Sequence, residues 1–145
     1  MMHLAIEHSI LIDASSSVVW NHLTQPRLMQ QWMGDPELRI EVVTNWKVGE
    51  PFVVKGFHHV EFENTGTILQ LEPHRVFRYT HLSSVSNLPD TAENHTIVSF
   101  HLADEGSETL LTVRLENFPT EAIYHHLRFY WAGTIGMIKA VVEGS

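Results

Sequence analysis

Leu4, Ile6, Ile10 and Ile12 share one parity with polar residues between them, the period-two signature of a strand with one buried face, and His8 falls on the same parity. The period then changes. Ser15 to Ser17 offer N-cap hydroxyls, and Val18, Val19, His22 and Leu23 recur at helical spacing. Pro26 lacks an N–H yet fits a first helical turn, so it closes one helix and opens another over Leu28, Met29 and Trp32, which Gly34, Asp35 and Pro36 end. Strand-like runs follow at 37–43, 52–62, 65–71, 76–82, 96–102 and 109–115. Asn64 and Gly66, Pro73 and His74, and the stretch 103–107 supply the turns, and their hairpin-scale spacing predicts an antiparallel meander. Residues 83–94 form the longest irregular segment. Over 120–143 the apolar positions Ile123, Leu127, Tyr130, Thr134, Met137, Ile138 and Val141 advance in steps of three and four, which predicts a long amphipathic helix capped by Thr120. Gly133 and Gly136 inside it would let the helix approach the sheet or leave room for a ligand, with close packing the favoured role.

Several of these segments carry a family resemblance. The block from Ala14 to Gly34, the turn Val48-Gly49-Glu50-Pro51-Phe52 and the strand end Gly66-Thr67-Ile68-Leu69-Gln70-Leu71-Glu72-Pro73 resemble the START-like superfamily, in particular its AHSA-type branch, similar to the activator of the heat-shock chaperone ATPase. Arg75 to Thr80 continues in register, and Trp131 stands where that branch carries a tryptophan early in its last helix. The resemblance spans Ile6 to Glu143. It implies an α+β helix-grip fold: a curled antiparallel sheet of about seven strands around a long C-terminal helix, with two short N-terminal helices, all in a single domain over 1–145.

Such folds leave an interior cleft, and relatives of this type place apolar ligands there. Strand parity populates it: Phe52, Val54, His58 and Val60 share one face, Phe77, Tyr79 and His81 another, and Val98, Phe100 and Leu102 a third. Tyr130, Thr134 and Met137 oppose them from the helix. The expected ligand-binding set is therefore Phe52, Val54, His58, Phe77, Tyr79, His81, Phe100, Tyr130, Thr134 and Met137. His58, Tyr79 and His81 are expected to converge near Tyr130 as the polar end of an apolar cavity, which suits a small hydrophobic or amphipathic molecule. For any one of these side chains taken singly, an ordinary core role is the favoured reading, and a buried histidine needs a partner in either case.

Composition narrows the chemistry. With no cysteine, disulfides, thiol catalysis and cysteine-based metal sites are excluded. Nine Lys and Arg against seventeen Asp and Glu give a formal charge of −8, with the cations scattered, so nucleic acid is not an expected partner. Protonating all eleven histidines would carry the charge to −8 + 11 = +3. Their spacing nevertheless argues against a metal: His58 and His59 point to opposite strand faces, His125 and His126 diverge by about 100° on a helix, and His95 and His101 lie about 20 Å apart along a strand. Gly-x-Ser-x-Gly, dinucleotide and phosphate-binding motifs are absent, no catalytic residue stands out, and no cofactor is expected. No apolar run is long enough for a membrane span and the start lacks the pattern of a signal peptide, so a cytoplasmic location is expected. The expectation is a non-catalytic domain that binds a small hydrophobic ligand. Two alternatives remain open: a stress-related or chaperone-regulating domain whose partner is a chaperone or a second copy, and an enzyme of the polyketide-cyclase or aromatase type. Because Ile6 already begins the fold, direct stimulation of a chaperone ATPase through an additional N-terminal domain is not expected.

Overall fold

Strand β1 (Ile6–Ile12) buries Ile6 and Ile12 on one face. The structure, a computed structural model, describes residues 5–145, so Leu4 of the expected strand lies outside the described residues. Helix α1 (Ser16–Thr24) starts where the Ser15 hydroxyl accepts a hydrogen bond from the Val18 N–H, and α2 (Pro26–Met33) follows directly with Pro26 in its first turn. The Trp32 Nε1–H donates to the His22 carbonyl at 2.8 Å and locks the two helices together. Next come β2 (Glu41–Thr44), β3 (Phe52–His58), β4 (Val60–Thr65), β5 (Ile68–Glu72), β6 (Val76–Ser83), β7 (Thr96–Glu105) and β8 (Glu108–Glu116), before the closing helix α3 (Glu121–Glu143).

The eight strands form one antiparallel sheet in the order β1-β8-β7-β6-β4-β3-β2, with β5 pairing beside β6 off that path. The α+β helix-grip architecture is thus the one expected, with finer differences in its strands. The run 52–62 splits into β3 and β4 because His59 takes a left-handed φ of 66° and reverses the chain between His58 and Val60. Paired residues across this reversal keep the same parity, so the even-numbered face passes from β3 to β4 unbroken. The crossing expected at 37–43 begins later: a 3-10 turn occupies Pro36–Leu38, Arg39 is left-handed at φ 52°, and extension resumes at Glu41.

Helix α3 has the expected length and N-cap, the Thr120 hydroxyl accepting from the Ile123 N–H at 3.1 Å. Its buried stripe is Leu127, Trp131, Thr134, Ile135, Ile138 and Val142, rotated relative to the expected one because the indole of Trp131 occupies the centre of the interface. Two assignments change with that rotation. Met137 is half-exposed on the outer face, and Gly133 and Gly136 face outward with nothing within 4 Å of a Cβ added at either, so they are not close-packing positions. Beneath the helix, aromatic rings fill the middle of the grip: Phe100 lies edge-on to Trp32 and Trp131, and Phe77 packs among Trp46, Phe52, Tyr79 and Phe100.

Candidate functional site

Between the N-terminal half of α3 and the concave sheet face lies a cleft of about 660 Å³. Period-two alternation aims Phe52, Val54 and His58 of β3, Val60, Phe62 and Asn64 of β4, Tyr79 and His81 of β6, and Thr96 and Val98 of β7 into it. From above, Ala122, Ile123, His126, Leu127, Tyr130 and Trp131 close it, and Trp32, Met33, Leu38 and Ile40 form one side. Tyr130 is fixed by its hydroxyl, which donates to the Met33 carbonyl at 2.8 Å and ties α3 to the end of α2.

Of the ten residues expected at the site, Phe52, Val54, His58, Tyr79, His81 and Tyr130 line this cleft. The other four do not. Phe77 and Phe100 lie wholly inside the aromatic core, Thr134 is buried one turn further along α3, and Met137 points away. The sequence reasoning missed several walls. Phe62 and Asn64 continue the parity of Phe52 through the reversal, and His126 stands one helical turn before Tyr130, so these three had a detectable signal. Leu38 and Ile40 had none, because they sit beside the irregular Arg39.

The irregular segment 83–94 contributes Val85, Ser86 and Asn94 to the rim. It is held from behind by His95, whose Nε2 lies 2.6 Å from Asp90 Oδ1 and whose Nδ1 lies 3.1 Å from Thr80 Oγ1. Asn117 Nδ2 donates to the carbonyls of both Glu93 and His95. These bonds make the segment a fixed wall rather than a loose connection.

The polar groups in the cleft are few and depart from their solution behaviour. Burial, with smaller contributions from His126 and His95, lowers the His81 pKa to about 4, and burial raises the hydroxyl pKa values of Tyr79 and Tyr130. A hydrogen bond with Thr134 offsets part of the shift at Tyr130. Neither His81 nor the Tyr79 hydroxyl has a hydrogen-bond partner among the described residues, and the side-chain oxygen of Asn64 is enclosed without one. Across β4 and β6 Asn64 pairs with Ser83, which places it diagonally beside His81 on the cleft face. Among the described residues no group of three or more histidines or carboxylates is arranged to hold a metal ion.

The depressed His81 pKa has a consequence for stability. Its folded value of about 4 lies below the unfolded value of 6.5, so the unfolded chain binds more protons between them and stability falls as pH drops through that window. The ring is partly open to the cleft, so the loss attributable to His81 is at most about 3 kcal/mol. Urea denaturation at about pH 7 and pH 4.5 checks this: His81→Gln is expected to lose less stability on acidification than the parent, and equal losses would contradict it.

No curated protein sequence matches the chain. Among solved structures, ChR145 from Cytophaga hutchinsonii superposes with a TM-score of 0.80 at 26% identity over 99% of this chain and 97% of that one. Protein CV1439 from Chromobacterium violaceum gives 0.79 at 20% identity, covering 96% and 97%. The Aha1 dimer from Colwellia psychrerythraea gives 0.75 at 19% identity, covering 97% of each chain. These likenesses agree with the grip of sheet and helix described above. The family profile described as activator of Hsp90 ATPase homolog 1-like protein matches residues 13–143, from the end of β1 to the last residue of α3, and the chain belongs to that family.

Proposed function

We propose that this domain binds a small hydrophobic or amphipathic molecule in the cleft between sheet and α3, and does not transform it. The observation that carries the reading is the cleft itself: about 660 Å³ walled mainly by apolar and aromatic side chains, with a few polar groups at fixed places. Clefts of roughly 300–1,000 Å³ with that lining suit small organic ligands. Support for binding over catalysis comes from the acid–base groups. A general base works best with a pKa near the operating pH, whereas burial drives His81 down to about 4 and the Tyr79 hydroxyl upward, so both stay neutral and poorly reactive near pH 7.

Purification under conditions that retain ligands, followed by native mass spectrometry, is expected to reveal a reproducible bound small molecule. Fluorescence titration with N-phenyl-1-naphthylamine provides the direct measurement, and His58→Phe with His81→Phe is expected to shift its affinity by about tenfold, or about 1.4 kcal/mol, while changing stability less. No bound molecule together with no probe binding would reject the reading. A ligand recovered chemically altered would move weight to a cyclase-like or aromatase-like activity.

A second reading, a stress-related domain with a protein partner, draws on the family description and on the outer face of α3. Phe129 is 84% exposed there, and Met137 lies two turns further on. A relative that forms a dimer makes a second copy of this chain the first partner to test. Light scattering across a concentration series decides it, a constant monomer mass removing the homodimer.

A further inference from the structure

The binding reading leaves the ligand's chemistry open, and the distribution of charge around the cleft narrows it. None of the described residues lining the cleft is Asp, Glu, Lys or Arg, in a chain of which 18% is charged. The strand alternation explains how this arises. Lys55 alternates with Val54, Glu61 and Glu63 alternate with Val60, Phe62 and Asn64, and Arg78 lies beside Tyr79, so every charge on these strands falls on the opposite parity. On that outer face Lys55 is paired in register with Glu41 of β2 and Glu63 of β4, and Arg78 Nε donates to Ser99 Oγ at 3.1 Å.

Resting on that reading, we infer that the cleft selects uncharged ligands, with an apolar body and a hydroxyl or carbonyl group that meets Asn64, Tyr79 and His81, and that it excludes carboxylates, sulfonates and phosphates. An anionic group entering this space would give up its hydration without meeting a counter-charge, and an unpaired ion in such surroundings costs more than the apolar body recovers. A neutral hydroxyl needs only a donor or acceptor. Asn64, Tyr79 and His81 supply both kinds, and the polar atoms noted above lack partners among the described residues. His81 cannot serve as a counter-cation near neutral pH, because burial holds it in its neutral form. His58 and His126, the other histidines of the lining, stand on the β3 hairpin end and the first half of α3.

Two probes with one anilinonaphthalene body test this: N-phenyl-1-naphthylamine, which is neutral, and 8-anilinonaphthalene-1-sulfonate. At about pH 7.5 the neutral probe is expected to bind about 100-fold more tightly or better. A difference in hydrophobicity alone would also favour it, so a cation is then placed in the lining. His81→Lys, and independently His126→Lys at an exposed helix position that tolerates the change, should each reduce the preference by about tenfold or more, with circular dichroism confirming the fold. Comparable affinities of the two probes for the parent protein would overturn charge exclusion while leaving the binding reading standing. An unchanged ratio in a folded Lys variant would overturn it too. Failure of both probes to bind the parent would instead reject the cavity reading, and this inference with it.

Discussion

Replacing Trp131 with alanine is expected to lower stability by about 3–5 kcal/mol, the usual scale for truncating a buried large aromatic. The indole is 5% exposed and meets three other rings: Trp32 at 6.3 Å, Phe100 at 5.6 Å and Tyr130 at 5.3 Å between centroids. It therefore joins α3 at once to α2 and to β7, and it also forms one wall of the cleft. Truncation removes the contacts that hold the helix over the sheet, so ligand affinity should fall along with stability. Phe129→Ala, two positions earlier but 84% exposed, is the matched control and is expected to change stability by less than about 0.5 kcal/mol. Urea or guanidinium denaturation of both variants measures the difference. A loss below about 1 kcal/mol for Trp131→Ala would show that the helix is anchored elsewhere.

The second large effect is expected at Gly66. A Cβ added there would lie 1.7 Å from the carbonyl oxygen of Thr80 and 2.5 Å from its carbonyl carbon. The obstacle is backbone, so no rotamer change relieves it. At this point the chain leaves β4 and crosses close to β6 on its way to β5, held by the Thr67 N–H donating to Thr80 Oγ1 and the Thr80 N–H donating to the Thr67 carbonyl. The Gly66 carbonyl also accepts from the Phe52 N–H, so the same residue anchors the start of β3. Gly66→Ala must push apart the strands that form the cleft floor, and a loss of at least about 3 kcal/mol is expected, at the upper end of ordinary overpacking. Gly133→Ala provides the opposite case. Its Cβ would enter open space on a helical backbone, and thermal unfolding should register a gain of up to about 1 kcal/mol. Equal effects from the two substitutions would mean that the close approach at Gly66 is not what restricts the site.

Much of this architecture was legible along the chain because its local signals agree with one another. Ser15, Pro26 and Thr120 mark helix starts by hydrogen-bonding chemistry that operates within one turn, and each stands at an observed helix boundary. The reversal at His59 was not legible, because it uses Phe57-His58-His59-Val60 with none of the Asn, Gly or Asp residues that announce a tight turn. Arg39 and Trp46 likewise hold left-handed backbone without a sequence cue, their conformation being imposed by the strands and turns on either side. Strand β5 and its turn into β6 were legible, but the pairing of β4 with β6, which leaves β5 off the main order of the sheet, was not: it depends on how closely the chain passes Thr80 at Gly66.

The same division runs through the site. The sequence by itself determined which residues share a face, because alternation along a strand is fixed by backbone geometry. That placed Phe52, Val54, His58, Tyr79 and His81 together and carried the charges of β3, β4 and β6 to the other side. It also determined the start and length of α3. Only the tertiary structure decided where along that shared face the rings meet and where they leave space. Phe77 and Phe100 have the parity of cleft residues, yet they lie where Trp32, Trp46 and Trp131 fill the grip, whereas Tyr79, His81 and Asn64 lie beyond those rings. The rotation of α3 was decided the same way. A helical stripe tolerates a shift of one residue until a large side chain finds its socket, and burying Trp131 between Trp32 and Phe100 turned Met137 outward. Periodicity is a property of each segment alone; whether a position becomes core or cleft depends on what stands opposite it, and that is set by packing between segments far apart in the chain.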